Sequence, residues 1–150
     1  VILGKAGKWL GASMAGGIIE VYGSADDFVG AQPFYTSSPM TGGRILVHGD
    51  AGSFIGLGMR GGYIEIKGNA KDFVGLRMSG GTIVVHGFAG LYPGLEMVSG
   101  LIVAGGGVEA ISAGFSELHD TAADCRIFVG DVLAGGRGLI IVLSRACSCS

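Results

Sequence analysis

Residues 56–61 read GLGMRG and fit the fingerprint G-x-G-x-x-G, in which a glycine turn brings a dinucleotide pyrophosphate onto the N-terminal amides of a helix. That chemistry needs a strand before the glycines, a helix after them and an acidic residue about 20 positions on. The residues that follow, GGYIEIKG, alternate as a strand does. Metal chemistry would draw on His48, His86 and His119, the last flanked by Glu117 and Asp120, or on Cys125 with the terminal pair Cys147 and Cys149. Asp26, Asp27, Asp50 and Asp72 lie in glycine-rich segments, as in calcium-binding Gly/Asp rolls. Which of these groups can act depends on the elements that carry them.

The 150 residues suffice for one domain with a real core, and 1–150 is read as a single domain. Glycine is far above its usual share, with 31 glycines and only 3 prolines, while 49% of the chain is hydrophobic and 15% charged. Collagen and disorder both fail on that composition, and a glycine-rich repeat remains. A net charge of −2, without a basic stripe, argues against nucleic acid and anionic membrane as partners. Apolar runs such as LIIVL at 139–143 are far shorter than the ~20 residues that cross a bilayer. No secretory signal pattern is read at the start and the three cysteines cannot all pair internally, so a cytoplasmic location is expected.

The repeat appears when segments are aligned on a methionine: SMAGGIIEVYG, PMTGGRILVHG, GMRGGYIEIKG, RMSGGTIVVHG and EMVSGLIVAGG. Met14, Met40, Met59, Met78 and Met97 stand 26, 19, 19 and 19 residues apart. Each is preceded by a half-unit, GKAGKWLG, GSADDFVG, GDAGSFIG, GNAKDFVG or GFAGLYPG, with alanine two places and an aromatic five places after the first glycine. GLGMRG is thus the junction of two half-units, and its counterparts GLRMSG and GLEMVSG lack the middle glycine. That removes the dinucleotide reading.

After each Gly-Gly the pattern alternates over about five residues, the period of a strand with one buried face. The inward set is Ile19, Val21, Ile45, Val47, Ile64, Ile66, Ile83 and Val85. A short strand recurring at a small constant period must stack on its neighbours. The expected fold is all-β, a right-handed parallel single-stranded β-helix (β-solenoid) of about 19-residue coils, regular over 1–106 and divergent over 107–150. The alanines, methionines and aromatics are expected to form internal ladders. The seven-residue excess falls within AQPFYTSSP at 31–39, which is expected as an extruded loop, with Phe34 and Tyr35 as partner-contact candidates. VILG at 1–4 matches the second half of a strand line, so the chain is expected to open in mid-coil. Residues 108–123 are read as a short helix or cap, and RIFVG (126–130) and GLIIVLS (138–144) as strands in degenerate coils.

Set on this frame, the chemistry thins out. His48 and His86 take one repeat position on the outward face, with Tyr22 and Lys67 in the equivalent places. Two coils apart they would sit about 10 Å from each other, too far for one metal, and a solvated ladder is expected. His119 is read as part of a polar turn, and Cys147 and Cys149 lack two further ligands. The equivalents of Asp50 are Lys5, Ser24, Asn69 and Phe88, which breaks a calcium ladder. No nucleophile elbow, P-loop lysine or buried carboxylate pair is found, so no catalytic, cofactor-binding or metal residue is assigned.

The units GDAGSFIGLGMRGGYIEIKG and GNAKDFVGLRMSGGTIVVHG resemble the G-xx-G-xxx-G repeats of the glycine-repeat subunit (the C component) of formylmethanofuran dehydrogenase over about residues 1–106. They are similar as well to the corresponding component of the formyltransferase/hydrolase complex and to the C-terminal domain of the glutamate synthase large subunit. The resemblance implies a non-catalytic β-helix that scaffolds metal-pterin and amidohydrolase-like subunits in converting CO2 and methanofuran to formylmethanofuran, in one-carbon metabolism or methanogenesis. Tungsten or molybdenum pterin and iron-sulfur clusters would then lie on those partners, with none bound by this chain. Asp26 and Lys71 depart from the middle motif glycine. A glutamate synthase-type domain linking amidotransferase and synthase parts is the alternative. A stand-alone carbohydrate-active β-helix would need a groove of carboxylates and aromatics, and the outward face offers only scattered Glu20, Glu65 and Lys67.

Overall fold

The structure is a computed structural model that describes residues 1–118, 125–131 and 135–143. Among the described residues it is all-β, with ten strands and no helix. In chain order these are β1 (Ile18–Val21), β2 (Arg44–Val47), β3 (Tyr63–Ile66), β4 (Ser79–Val85), β5 (Ala89–Leu91), β6 (Ser99–Ala104), β7 (Val108–Ala110), β8 (Ser116–Leu118), β9 (Cys125–Gly130) and β10 (Gly138–Leu143). Eight form one sheet in the order β1-β2-β3-β4-β6-β10-β9-β8, and β5 pairs with β7. From β1 to β10 every pairing in the large sheet is parallel.

The repeat is the register of this sheet. Ile19, Ile45, Ile64, Ile83, Ile102 and Ile140 align across six strands, and Val21, Val47, Ile66, Val85, Ala104 and Val142 align beside them. All of these but the partly buried Ile19 belong to the buried core, together with the methionines Met40, Met59, Met78 and Met97 and the alanines Ala6, Ala25, Ala51, Ala70 and Ala89. A slip of one residue would turn Glu20 and Glu65 inward, which is why the register is so firmly set.

The aromatics do not join that interior. Trp9, Phe28, Phe54, Phe73 and Tyr92 have φ of 64, 66, 60, 60 and 51°. Each left-handed residue places its ring at the margin, and the next residue takes the inward position, Val29, Ile55 and Val74 being fully buried. The rings still form a ladder, stacked at 4.1 Å between Trp9 and Phe28, 5.1 Å between Phe28 and Phe54 and 5.3 Å between Phe54 and Phe73.

Two glycine positions explain themselves. The second glycine of each pair has φ near +90°, as at Gly43 (91°), Gly62 (97°) and Gly81 (87°), a region L side chains rarely adopt. The first glycine faces the preceding unit: a Cβ on Gly42 would stand 2.5 Å from the Ala15 carbonyl oxygen, and those on Gly61 and Gly80 would press closer on Thr41 and Arg60.

The divergent region departs from expectation. Residues 108–118 hold β7 and β8 rather than a helix or helical cap, because Val108–Ala110 continues the pairing of β5. β9 and β10 occur as strands, but β9 runs antiparallel to β10, and β8 antiparallel to β9. Within the large sheet β10 extends the parallel register, against β6, while β7 continues parallel pairing on β5.

Candidate functional site

On the strands, residues that alternate with the buried rows point outward. One outward row is Glu20, Leu46, Glu65, Val84, Val103 and Ile141; the row beside it is Ile18, Arg44, Tyr63, Thr82, Leu101 and Leu139. Tyr22, His48, Lys67 and His86 follow the strand ends. On this face the described residues build their most connected charge cluster.

Glu65 is its centre. Its Oε1 lies 2.9 Å from Lys67 Nζ and 2.9 Å from His86 Nε2, while Oε2 accepts from Tyr63 OH at 3.2 Å and from Arg44 at 3.4 Å. Those side chains cover it, leaving Glu65 only 7% exposed. Burial pushes its carboxyl up, but the hydrogen bonds from Lys67 and His86, the Lys67 charge and the Tyr63 hydroxyl outweigh burial and lower it to about 2. Tyr63 is pushed up, first by burial and then by the Glu65 charge beside it. The Arg44 guanidinium lies 5.2 Å over the Tyr63 ring. A carboxylate so held stays ionised and is a poor general base near neutral pH, so the cluster is suited to fixing charge rather than moving protons.

A second pair repeats the geometry. His48 Nε2 is 2.9 Å from Glu20 Oε1, and the Tyr22 ring stacks on His48 at 4.6 Å. The hydrogen bond from His48 holds the Glu20 carboxyl below its ordinary value. The histidines lie outward and partly exposed as expected of a solvated row, and each also gains a partner, the glutamate of the preceding unit, because a residue eight places after one methionine meets the residue six places after the previous one. That offset was the signal in the sequence, readable only with the inter-unit register in hand.

The insertion has two characters. Phe34 meets Trp9 and Phe28 edge-on, at 5.7 Å and 89° and at 5.7 Å and 85°, though it is 74% exposed. Tyr35 is 89% exposed. Gln32 Nε2 donates to the Thr36 carbonyl at 2.8 Å and tightens the loop. Between the loop and the next two units runs an open groove of about 420 Å³ lined by Pro33, Phe34, Leu57, Arg60, Arg77 and Ser79. In GLGMRG, Gly58 has φ of +69°, at the place where Ser13, Arg77 and Glu96 adopt 58, 57 and 56°. The middle glycine of the fingerprint is thus a turn residue.

The corner aspartates and Asn69 act between units. Asp27, Asp50, Asn69 and Asp72 each accept a backbone N–H from the next unit, at Ser53 (2.8 Å), Asn69 (2.7 Å), Phe88 (2.8 Å) and Leu91 (2.9 Å). Asp26 pairs with Lys5 at 2.9 Å. Among the described residues no three His, Cys, Asp or Glu side chains are grouped to hold a metal ion. His119, Asp120, Cys147 and Cys149 lie outside the described residues. Glu117 instead receives both ends of the Arg126 guanidinium, at 2.7 and 3.0 Å. No described helix is long and apolar enough to cross a membrane.

No protein-family model matches the chain, and no curated protein matches it. Among solved structures it is similar to a chain of the formyltransferase/hydrolase complex (FhcABCD) from Methylorubrum extorquens, determined in complex with methylofuran. The two superpose with a TM-score of 0.86 at 27% sequence identity, over 95% of this chain and 62% of the other. The chain therefore spans less than two thirds of the length of that neighbour.

Proposed function

We propose that this chain is a non-catalytic structural subunit of a one-carbon complex of the formyltransferase/hydrolase or formylmethanofuran dehydrogenase type, holding the catalytic subunits together. The carrying observation is the similarity to a chain of a multi-subunit complex of that chemistry, at a TM-score of 0.86 over nearly the whole of this chain. The unit-to-unit parallel pairing at a 19-residue period supports the finer reading of the fold as one right-handed β-helix domain over 1–150. The outer-face cluster supports a structural role, since its central carboxylate is spent on four partners.

In this reading the chain works in the cytoplasm, binds no cofactor itself, and meets metal-pterin and amidohydrolase-like subunits, with Phe34 and Tyr35 among the contacts. Tungsten or molybdenum and iron-sulfur clusters on the partners would mark the dehydrogenase type. Anaerobic purification of the native protein, identification of co-eluting chains by mass spectrometry and metal analysis test it. Co-elution with an amidohydrolase-like subunit is expected, and the metal content separates the two types. A chain that elutes alone, or with a flavin-containing synthase, would overturn the reading.

A further inference from the structure

The two positions that flank each repeat methionine tolerate side chains of every kind. Before the methionine stand Ser13, Pro39, Gly58, Arg77 and Glu96, and after it Ala15, Thr41, Arg60, Ser79 and Val98. The repeat therefore requires no arginine at either place, yet both arginines fall in the two units beside the insertion and line the groove there. Arg77 Nε is 2.7 Å from Glu96 Oε2, and Glu96 is the one acid at these positions. Arg60 is exposed and has no acid within ion-pair distance among the described residues. One positive charge is thus unbalanced in the groove. Gly58, with φ of +69°, leaves open the space that a side chain takes in the other units, and a Cβ there would already stand 3.0 Å from Gln32 Oε1. Leu57, 7% exposed, lies beneath, and the Phe34 ring, 74% exposed, forms the apolar wall. The insertion is anchored at both ends, by Gln32 N–H to the Leu57 carbonyl at 2.8 Å and by Ser13 Oγ to the Ser38 carbonyl.

We propose that this groove receives an extended segment of a partner subunit, which sets an aspartate or glutamate on Arg60 and an apolar side chain against Phe34 and Leu57. The inference rests on the reading of the chain as a complex subunit and deepens it by assigning the place and the chemistry of one contact. A guanidinium presents a planar fork of donors that matches a carboxylate bidentately. One unbalanced cation matches the single charge of a carboxylate, whereas a phosphate group, near −2, would remain under-neutralised. The volume of about 420 Å³ is open to solvent, which suits a few residues of a passing chain better than a small molecule that a pocket must enclose over most of its surface. Ser79, at the position of Arg60 one unit on and about 4.8 Å away by the stacking distance, adds a hydroxyl for the backbone of the segment.

The test uses the complex isolated through a tag on this chain from its native cell. Reaction of phenylglyoxal at Arg60, read by mass spectrometry, should be at least about ten-fold slower in the complex than in the isolated chain. In Arg60→Lys, zero-length carbodiimide coupling is expected to join position 60 to an aspartate or glutamate of a partner subunit. Arg60→Glu reverses the charge and Ser79→Trp fills the groove, and each should raise the dissociation rate of that subunit at least about ten-fold. The thermal transitions of both isolated variants should stay near wild type, because the equivalent positions hold Ala15, Thr41 and Val98. If the wild-type chain brings down its partners while Arg60 reacts equally fast in both forms and Arg60→Glu dissociates no faster, the groove is free and this inference is wrong, although the subunit reading stands. Coupling of Arg60→Lys to a small-molecule carboxylate in place of a protein would overturn it as well. A wild-type chain that recovers no partner subunit removes both readings.

Discussion

Replacing the first glycine of a Gly-Gly pair by alanine should have opposite consequences in different units of the same repeat. At Gly16 an added Cβ meets nothing within 4 Å, whereas at Gly42 it would stand 2.5 Å from the Ala15 carbonyl oxygen, and at Gly80 closer still to that of Arg60. Side chains do not approach backbone oxygen below about 3 Å, so the Gly80 unit must move away by several tenths of an ångström. The overpacking costs about 1–3 kcal/mol. The flanking bonds, Ser79 N–H to Met59 O at 2.8 Å and Thr82 N–H to Gly62 O at 3.0 Å, stretch with it. Losing part of each, at ~0.5–1.5 kcal/mol per bond, brings the total to about 2–4 kcal/mol. Gly16→Ala should instead be neutral or stabilise by up to ~1 kcal/mol, through the reduced entropy of the unfolded chain. For a chain of this size, Gly80→Ala then lowers the thermal midpoint by roughly 6–12 °C and Gly16→Ala leaves it unchanged or slightly raised. Thermal melts followed by circular dichroism, with urea titration as a check, read both. Equal losses for the two variants, or a Gly80→Ala variant as stable as wild type, would refute the close packing of units.

Other outcomes follow from the margins of the sheet. Because Phe54 has φ of +60°, Phe54→Gly should be less destabilising than Phe54→Ala by up to about 1 kcal/mol, the reverse of the usual order, and urea midpoints of the two variants decide it. Gly58→Ala should cost ~1 kcal/mol, while in Ser13→Gly, at the same turn position, relief of the left-handed backbone should roughly offset the lost hydrogen bond from Ser13 Oγ to the Ser38 carbonyl, leaving a net change within about 0.5 kcal/mol. Glu65 has its carboxyl lowered from 4.5 to about 2, so between those values the unfolded chain holds more protons than the folded one. Stability should therefore be fully present above about pH 5 and fall as the pH drops toward 2; in Glu65→Gln that decline should be shallower, and a pH series of urea midpoints showing the same slope for both proteins would count against the cluster. At neutral pH Glu65→Gln should cost about 1–3 kcal/mol, since the donors of Lys67 and His86 lose a charged acceptor.

The regular strands were legible because alternation and period both act locally. Ile45, Val47, Ile64, Ile66, Ile83 and Val85 are fully buried where the pattern placed them. The aromatics misled, since an apolar ring at a constant position suggests an interior ladder, and only the left-handed backbone at Trp9, Phe28, Phe54, Phe73 and Tyr92 moves it to the margin. The aliphatic residue after each ring was the overlooked cue. Residues 108–118 lack a repeat partner in sequence, so their pairing with β5 and β9 was set by tertiary contact that no local pattern records. The Glu65 cluster was hidden for a related reason: Arg44, Tyr63, Lys67 and His86 span three units and converge only after stacking. The tie between Phe34 and the ladder likewise depends on how the insertion folds back.

The most direct measurement of the scaffold reading is to separate assembly from chemistry in the native complex. Removing this chain should split the partner subunits on size-exclusion chromatography while each partner's own partial reaction persists within a few-fold, and Glu65→Gln in an assembled complex should leave those rates unchanged. Loss of a partial reaction from Glu65→Gln, in a complex of unaltered size and composition, would contradict the account and place chemistry on this chain.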